Sequence, residues 1–298
     1  MRLSNLLLAV VALTLIISAL CIWFYPSLQD FMETNTAWNG IRKFSDDYSA
    51  LNIESLAQLG DYQEGSVLVA IPGLDYSEDD LGRLKRYVNQ GGTLLLMDDF
   101  GYGNSILSYL GLSARFSNRP LLDPLFCYRN QDLPRVTDFK PRVKEAGIEA
   151  IVLNHATTLI DVDGEQAIAW SSAAGFTDTD GSGNWSEGEP KGPFVVAAEI
   201  KLGKGMVYAV ADPSIIINTT FGRDNNEAFI RYLITRRGEP KKVMVDASHL
   251  LKAPLDIGKE RLLEIRAFLS NPFAILVIMA VIFVIIYRYT YRKGEVID

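Results

Sequence analysis

Hydrophobic and polar positions divide the chain into three regimes: an uncharged apolar run at each end, and between them 246 residues with alternating strand and helix periods. Leu6 to Tyr25 is 20 residues without a charge, and Thr14 and Ser18 are its only Ser/Thr hydroxyls. At helical rise it spans about 30 Å, the thickness of a bilayer's hydrocarbon core. Trp23 and Tyr25 close it where an aromatic belt is expected. A cleaved signal peptide is the competing reading. The run is long for one, no small-x-small site follows, and Leu20 occupies the place where lipoprotein cleavage before Cys21 would need a small residue. Phe273 to Tyr287 is the second run. Tyr289 and Tyr291 extend it at an interface, Arg288 can snorkel, and 272–291 gives 20 residues. A buried core helix competes there, but the run is apolar all round and ends in a Tyr/Arg/Lys cluster. Residues 1–26 and 272–291 are therefore expected to be transmembrane helices.

In the middle region, Ser66 to Ile71 and Thr93 to Met97 are unbroken apolar runs, the signature of strands buried on both faces of a parallel sheet. Between them, Ser77-Glu-Asp-Asp80 reads as a helix-capping box. Leu81, Leu84, Tyr87 and Val88 mark the apolar face, and Gly91-Gly92 ends the helix. The second strand runs into Asp98-Asp99 and the turn Gly101-Tyr-Gly-Asn104, and a helix follows from about Ser105. Strand, helix, strand, glycine-rich turn, helix predicts an open α/β sheet with ligands at the carboxyl ends of its strands. Residues 114–145 read as a long surface excursion. Later segments read as strands at 151–153, 158–162, 167–171, 194–200 and 206–211, the last two joined by a Lys-Leu-Gly-Lys-Gly hairpin turn. A helix over 225–234, a short strand over 242–246 and an amphipathic helix over 261–269 complete the reading.

The expected organisation is then a transmembrane helix (1–26), an α/β domain (27–240), a linker strand and amphipathic helix (241–271), a second transmembrane helix (272–291) and a short tail (292–298). Arg2 precedes the first run, and Arg288, Arg292 and Lys293 border the second. By the positive-inside rule both termini are cytoplasmic and the domain extracytoplasmic. Residues 26–271 hold 25 of the 29 basic and 34 of the 36 acidic residues, a net −9. That balance argues against a nucleic-acid partner, which needs a clustered Lys/Arg excess. Two cysteines exclude a disulfide framework and a four-cysteine zinc site.

Three groups of residues are candidates for chemistry. Asp98, Asp99 and Asn104 at the end of the second buried strand, with Asp212, Ser214 and Asn218 after a later one, are candidate ligand-binding groups at the sheet's carboxyl edge. Gly101-x-Gly103 lacks the third glycine of a dinucleotide fingerprint, and no nucleotide or organic cofactor is expected. The acidic loop Asp178-Thr-Asp180-Gly-Ser182-Gly183-Asn184 to Glu189 places oxygens at the spacing of an EF-hand calcium loop. Asp178, Asp180, Ser182, Asn184 and Glu189 are the expected calcium (Ca2+) ligands. Its flanks read as strands, so the loop is expected on a β scaffold; an acidic hairpin without metal is the competing reading. Cys127 with His155 or His249 is a third possibility, a Cys–His hydrolase assembled by tertiary contacts, although neither His adjoins a nucleophile in sequence. Asn184-Trp-Ser186 and Asn218-Thr-Thr220 also match the glycosylation acceptor pattern.

Four segments resemble the DUF4350 family of membrane proteins: Asn35-Thr-Ala-Trp-Asn-Gly40, the stretch from Tyr87 to Asn104, the acidic loop running into Glu189-Pro-Lys-Gly-Pro193, and Asp212-Pro-Ser-Ile-Ile-Ile-Asn218 with Asp224-Asn225. The resemblance implies an open, mostly parallel flavodoxin- or amidotransferase-like sheet with a β-hairpin addition, flanked by two transmembrane helices. It is similar at fold level to class I glutamine amidotransferase-like domains and to the auxiliary component of gliding-motility ABC transporters. Amidotransferases carry a nucleophilic Cys after the corresponding strand, where this chain has Met97-Asp98-Asp99. The resemblance therefore implies a non-catalytic, membrane-tethered binding or assembly module. Its implied partners are the lipid bilayer and a membrane protein such as an ABC transporter or a MoxR/DUF58-type system.

Overall fold

Seven strands carry the sheet of the larger unit: β1 (Leu51–Ile53), β2 (Ser66–Ala70), β3 (Thr93–Met97), β4 (Ala167–Trp170), β5 (Val195–Leu202), β6 (Gly205–Val210) and β7 (Lys242–Asp246). Their order across the sheet is β1-β7-β2-β3-β6-β5-β4, with the short strand Asp138–Phe139 beyond β4. The first five are mutually parallel, and β5 and β4 add antiparallel. The fold is thus mixed α/β around a mostly parallel sheet. This computed structural model describes residues 3–61 and 64–294.

Every residue of β2 and β3 is buried, as their uncut apolar runs predict. Helix Glu78–Asn89 joins them. Ser77 caps it by accepting the Asp80 N–H at 3.2 Å, and Leu81, Leu84, Tyr87 and Val88 are its buried face. The 201–205 turn closes the expected β5–β6 hairpin, with Leu202 opposite Gly205. Three parallel neighbours, β2, β3 and β6, end at one edge of the sheet and deliver Pro72-Gly73, Asp98-Asp99 and Asp212 there.

Two expectations change. The strand assigned to a linker over 241–271 is β7, and it sits inside the sheet between β1 and β2, with Val243, Met244 and Val245 buried. Its five residues give no sign in sequence of which neighbours they will take. Residues 114–145 are not a free surface excursion: they form short strands (Arg115–Phe116, Leu121–Leu122, Arg135–Val136, Asp138–Phe139) and helix Pro141–Lys144, and they bury Phe116, Leu121, Val136, Phe139 and Val143. Two-residue strands are too short to show a period. The compact unit accordingly runs Leu28–Leu251.

The other unit comprises residues 1–27 and 252–298, and its described residues are mostly in the helices Leu3–Phe24, Pro254–Leu269 and Pro272–Gly294. Helix Leu3–Phe24 is, among the described residues, the one helix that by itself is long and apolar enough to cross a membrane. Helix Pro272–Gly294 covers the second expected span. It qualifies only jointly with helix Pro254–Leu269, to which it is bent by 79°. Within this unit Ser27 Oγ donates to the buried Asp256 carboxylate at 2.9 Å, and the Arg266 guanidinium lies over the Trp23 ring at 5.8 Å. Of the flanks used for topology, Arg2 and the side chains of Arg292 and Lys293 lie outside the described residues.

Candidate functional site

At the end of β3 the chain folds around a carboxylate. The Asp98 N–H continues the ladder to Val210 O at 3.1 Å, and its side chain turns inward, 2% exposed. Oδ1 accepts the N–H groups of Asp99 (2.9 Å) and Gly101 (2.8 Å), and Oδ2 accepts that of Gly103 (2.7 Å). The glycines answer to this geometry. A Cβ at Gly101 would lie 2.4 Å from Pro72 O, and one at Gly103 2.6 Å from Asp98 Oδ2 and 2.7 Å from the Phe116 ring. The Gly-x-Gly turn therefore closes on an internal carboxylate. Burial pushes the Asp98 pKa up to about 6 against the opposing pull of these N–H donors.

Asp212, at the end of β6, is fully buried and serves the same purpose. It accepts the N–H of Asn154 at 2.7 Å on Oδ2 and that of Ser214 at 2.7 Å on Oδ1. Burial pushes its pKa up to about 8, and the charge of Asp99 adds to the rise. Asn104 pairs both ways with the backbone of Phe116, donating at 2.9 Å and accepting at 2.8 Å. Asn218 is engaged with residues 35–43. Of the six candidate ligand-binding residues, Asp98, Asn104, Asp212 and Asn218 thus spend their side-chain polar atoms on the backbone, and Ser214 enters through its N–H.

Asp99 differs. It is half-buried, burial raises its pKa, and among the described residues only Oδ1 is used, accepting the Phe100 N–H at 2.6 Å. It lines a groove of about 250 Å³ at the sheet's carboxyl edge, together with Phe31, Pro72, Phe100, Tyr102 and Leu251. Phe100 and Tyr102 are 48% and 46% exposed, so two aromatic rings stand at the surface of a turn that is otherwise pinned. Sequence reasoning missed these lining residues. Phe100 and Tyr102 flank the acidic pair and were open to inference, whereas Phe31 and Leu251 arrive from remote parts of the chain.

Beside the groove, β7 ends in Asp246, which is fully buried. Tyr76 Oη donates to Oδ2 at 2.6 Å, His249 Nδ1 lies 2.8 Å from the same oxygen, and the Ser248 N–H and Oγ donate to Oδ1 at 3.0 and 2.5 Å. The Tyr76 and His249 rings stack with centroids 3.5 Å apart. His155 Nδ1 lies 2.7 Å from Asn154 Oδ1, and Cys127 is bridged to Pro134. No hydrogen bond joins Cys127 to either imidazole among the described residues.

The acidic loop sits on strands, as expected: Phe176–Thr177 pairs with Leu121–Leu122 before it, and Lys191 bridges back to Phe176 after it. One oxygen of each of Asp178, Asp180 and Glu189 lies within 4.8 Å of the others. Each carboxylate is also held by its own loop. Asp178 accepts the N–H groups of Gly181 and Gly183; Asp180 accepts the Ser182 N–H and the Ser186 hydroxyl; Glu189 accepts the Thr179 and Ser186 N–H groups. These bonds hold Asp180 down to a pKa of about 2, with Ser186 first among them, and hold Glu189 below the usual carboxylate range, with the Thr179 N–H first. Ser182 and Asn184 bond to each other's backbone.

Residues 33–234 match the domain of unknown function DUF4350, and the chain belongs to that family. No curated protein matches. Among solved structures, the chain is similar to the N-terminal domain of mmIFT52 (13% identity, 62% of this chain and 80% of that one, TM-score 0.48). It is also similar to the cytoplasmic protein STM3548 from Salmonella typhimurium (12% identity, 63% and 76%, TM-score 0.33) and to a β-galactosidase from Bacillus circulans sp. alkalophilus (15% identity, 59% and 23%, TM-score 0.32). The chain spans under a quarter of that β-galactosidase, and at these scores none of the three likenesses carries an argument about this chain.

Proposed function

We propose that the protein is a membrane-anchored, non-catalytic binding or assembly module that engages its ligand or partner at the groove beside Asp99. The observation that carries this reading is the contrast within one turn: Asp98 and its neighbours are consumed in holding the backbone, while Asp99, Phe100 and Tyr102 are presented outward on that rigid frame. Pre-organised groups at a sheet's carboxyl edge are where open α/β folds bind. The His249 imidazole and the buried carboxylates are committed to structural hydrogen bonds, which supports a binding role over a hydrolytic one. The apolar helix Leu3–Phe24 supports an anchor. The helix over Pro272–Gly294, with its basic end, supports a second pass with both termini cytoplasmic and the Leu28–Leu251 unit outside. A membrane protein is the partner this placement favours, and an ABC transporter or a MoxR/DUF58-type system is the kind the family resemblance suggests.

The test is recovery of partners from native membranes with the wild-type protein and with Phe100→Ala/Tyr102→Ala. Loss of a co-purifying species by the double variant, at an unchanged melting temperature, supports the reading. An undiminished set of partners removes the groove from it.

A second reading concerns the acidic loop. The convergence of Asp178, Asp180 and Glu189 supports a weak calcium site, formed at the expense of the loop's own hydrogen bonds, in which Ser182 and the Asn184 carbonyl complete the shell.

A further inference from the structure

The charge and shape of the groove beside Asp99 narrow what it can hold. Its lining carries three carboxyl groups, Asp30, Asp98 and Asp99, and three aromatic rings, Phe31, Phe100 and Tyr102; no lysine or arginine lines it among the described residues. Asp212 lies close enough behind for the Asp99 charge to act on it. The charge of His155 opposes the burial that raises the Asp99 pKa. A carboxylate or phosphate ligand would bring like charge to this edge and is disfavoured. A bare divalent ion is poorly served, because it needs several free oxygens. The Asp98 and Asp212 oxygens already accept backbone N–H groups, and Asp30 Oδ1 accepts from Asn39. Asp99 Oδ2 has no hydrogen-bond partner among the described residues.

What remains is one available carboxylate oxygen within a mostly apolar, aromatic-walled groove of about 250 Å³. That volume is below the range typical of drug-sized ligands. Aromatic faces attract organic cations through the ring quadrupole, and a carboxylate adds a charge-assisted hydrogen bond to an ammonium. Resting on the binding reading above, we infer that the groove takes a small organic cation: a short aliphatic amine or diamine, one primary ammonium paired with Asp99 and its methylenes against Phe100 and Tyr102.

The experiment is calorimetric titration of the full chain in lipid nanodiscs with butane-1,4-diamine, with the neutral isostere butane-1,4-diol, and with succinate. The diamine is expected to bind at least tenfold more tightly than the diol, and succinate not at all. Asp99→Asn and Phe100→Ala should each weaken the diamine tenfold or more, while Glu145→Gln, at an exposed acid that does not line the groove, should leave it unchanged. If the diol or succinate binds as well as the diamine and Phe100→Ala weakens it, the cationic assignment is wrong and the binding reading stands. Loss of diamine binding in Glu189→Gln alone would move the cation to the acidic loop and overturn the inference. Failure of all three probes to bind at 10 mM or so also overturns it, and the binding reading then rests on co-purification alone.

Discussion

Asn218 closes over Asn35 across 183 residues of sequence: its Nδ2 donates to the Asn35 carbonyl at 3.2 Å and to the Ala37 carbonyl at 2.6 Å, while its Oδ1 accepts the Lys43 N–H at 3.0 Å. Its own N–H reaches Gly40 O at 2.7 Å, and Lys43 Nζ returns to its carbonyl at 2.9 Å. One side chain thus ties the segment after the first apolar helix to the segment after β6. Gly40 belongs to the same latch: a Cβ there would lie 1.8 Å from Asn35 O. A side-chain amide committed in this way, 7% exposed, is not presented for glycosylation.

Asn218→Ala should therefore act on folding. It leaves the buried Asn35 carbonyl and the part-buried Ala37 carbonyl and Lys43 N–H with unmet bonds, and the expected loss is about 1–3 kcal/mol. Urea unfolding measures it. A loss under about 0.5 kcal/mol would mean the latch is ornamental, and hydrogen exchange at Ala37 to Lys43 should rise in parallel if it is not.

Adjacent acids should respond oppositely to the same substitution. Asp98→Asn turns an NH2 group towards N–H donors and should cost about 1–3 kcal/mol. Asp99→Asn breaks a single contact and should stay within about 0.5 kcal/mol of wild type. Chemical denaturation of the two variants decides this, and equal losses would contradict the division of labour drawn here.

Raised acid pKa values make a pH prediction with a definite sign. Asp98 at about 6 and Asp212 at about 8 hold their protons more tightly when folded than an ordinary aspartate, at 3.8, does. Between these limits the folded state binds more protons, so stability falls as pH rises from about 4 to about 8. A pKa difference of one is about 1.4 kcal/mol. Melting curves from pH 5 to pH 8 should show the decline, and Asp212→Asn should flatten its upper part. A stability that climbs from pH 5 to pH 8 would refute it.

Calcium, if it binds the acidic loop, stabilises by mass action: about 2.7 kcal/mol at a hundredfold excess over Kd. The expected Kd is on the order of 10⁻⁴–10⁻³ M, as in extracellular modules, and magnesium should do much less. The full chain melted in chelator, calcium or magnesium, and again as Glu189→Gln, gives the answer. An unshifted wild type, or a shift retained in the variant, sinks the site.

Topology is open to labelling. Leu125 is 75% exposed on the Leu28–Leu251 unit. In a Cys127→Ser background, Leu125→Cys should react with a membrane-impermeant maleimide on intact cells, and Asp298→Cys only after the membrane is opened. The reverse pattern would invert the orientation.

How much of this was legible follows from where the information lies. The sequence by itself determined whatever rests on uninterrupted local pattern: β2 and β3 from their apolar runs, the Ser77-capped helix, the β5–β6 hairpin from its glycine turn, the apolar helix Leu3–Phe24, and the strand-flanked acidic loop. It also brought out the acids of the carboxyl edge, because strand ends announce them. Only the tertiary structure decided what those acids do. Asp98, Asp212, Asn104 and Asn218 have the composition of a binding site, but their partners are backbone groups, some from segments far along the chain, and no local spacing encodes that choice. The placement of β7 between β1 and β2, and the arrival of Phe31 and Leu251 beside Asp99, were settled in the same way. Short strands and groove walls depend on burial against remote neighbours, and burial is a property of the assembled sheet rather than of any stretch within it.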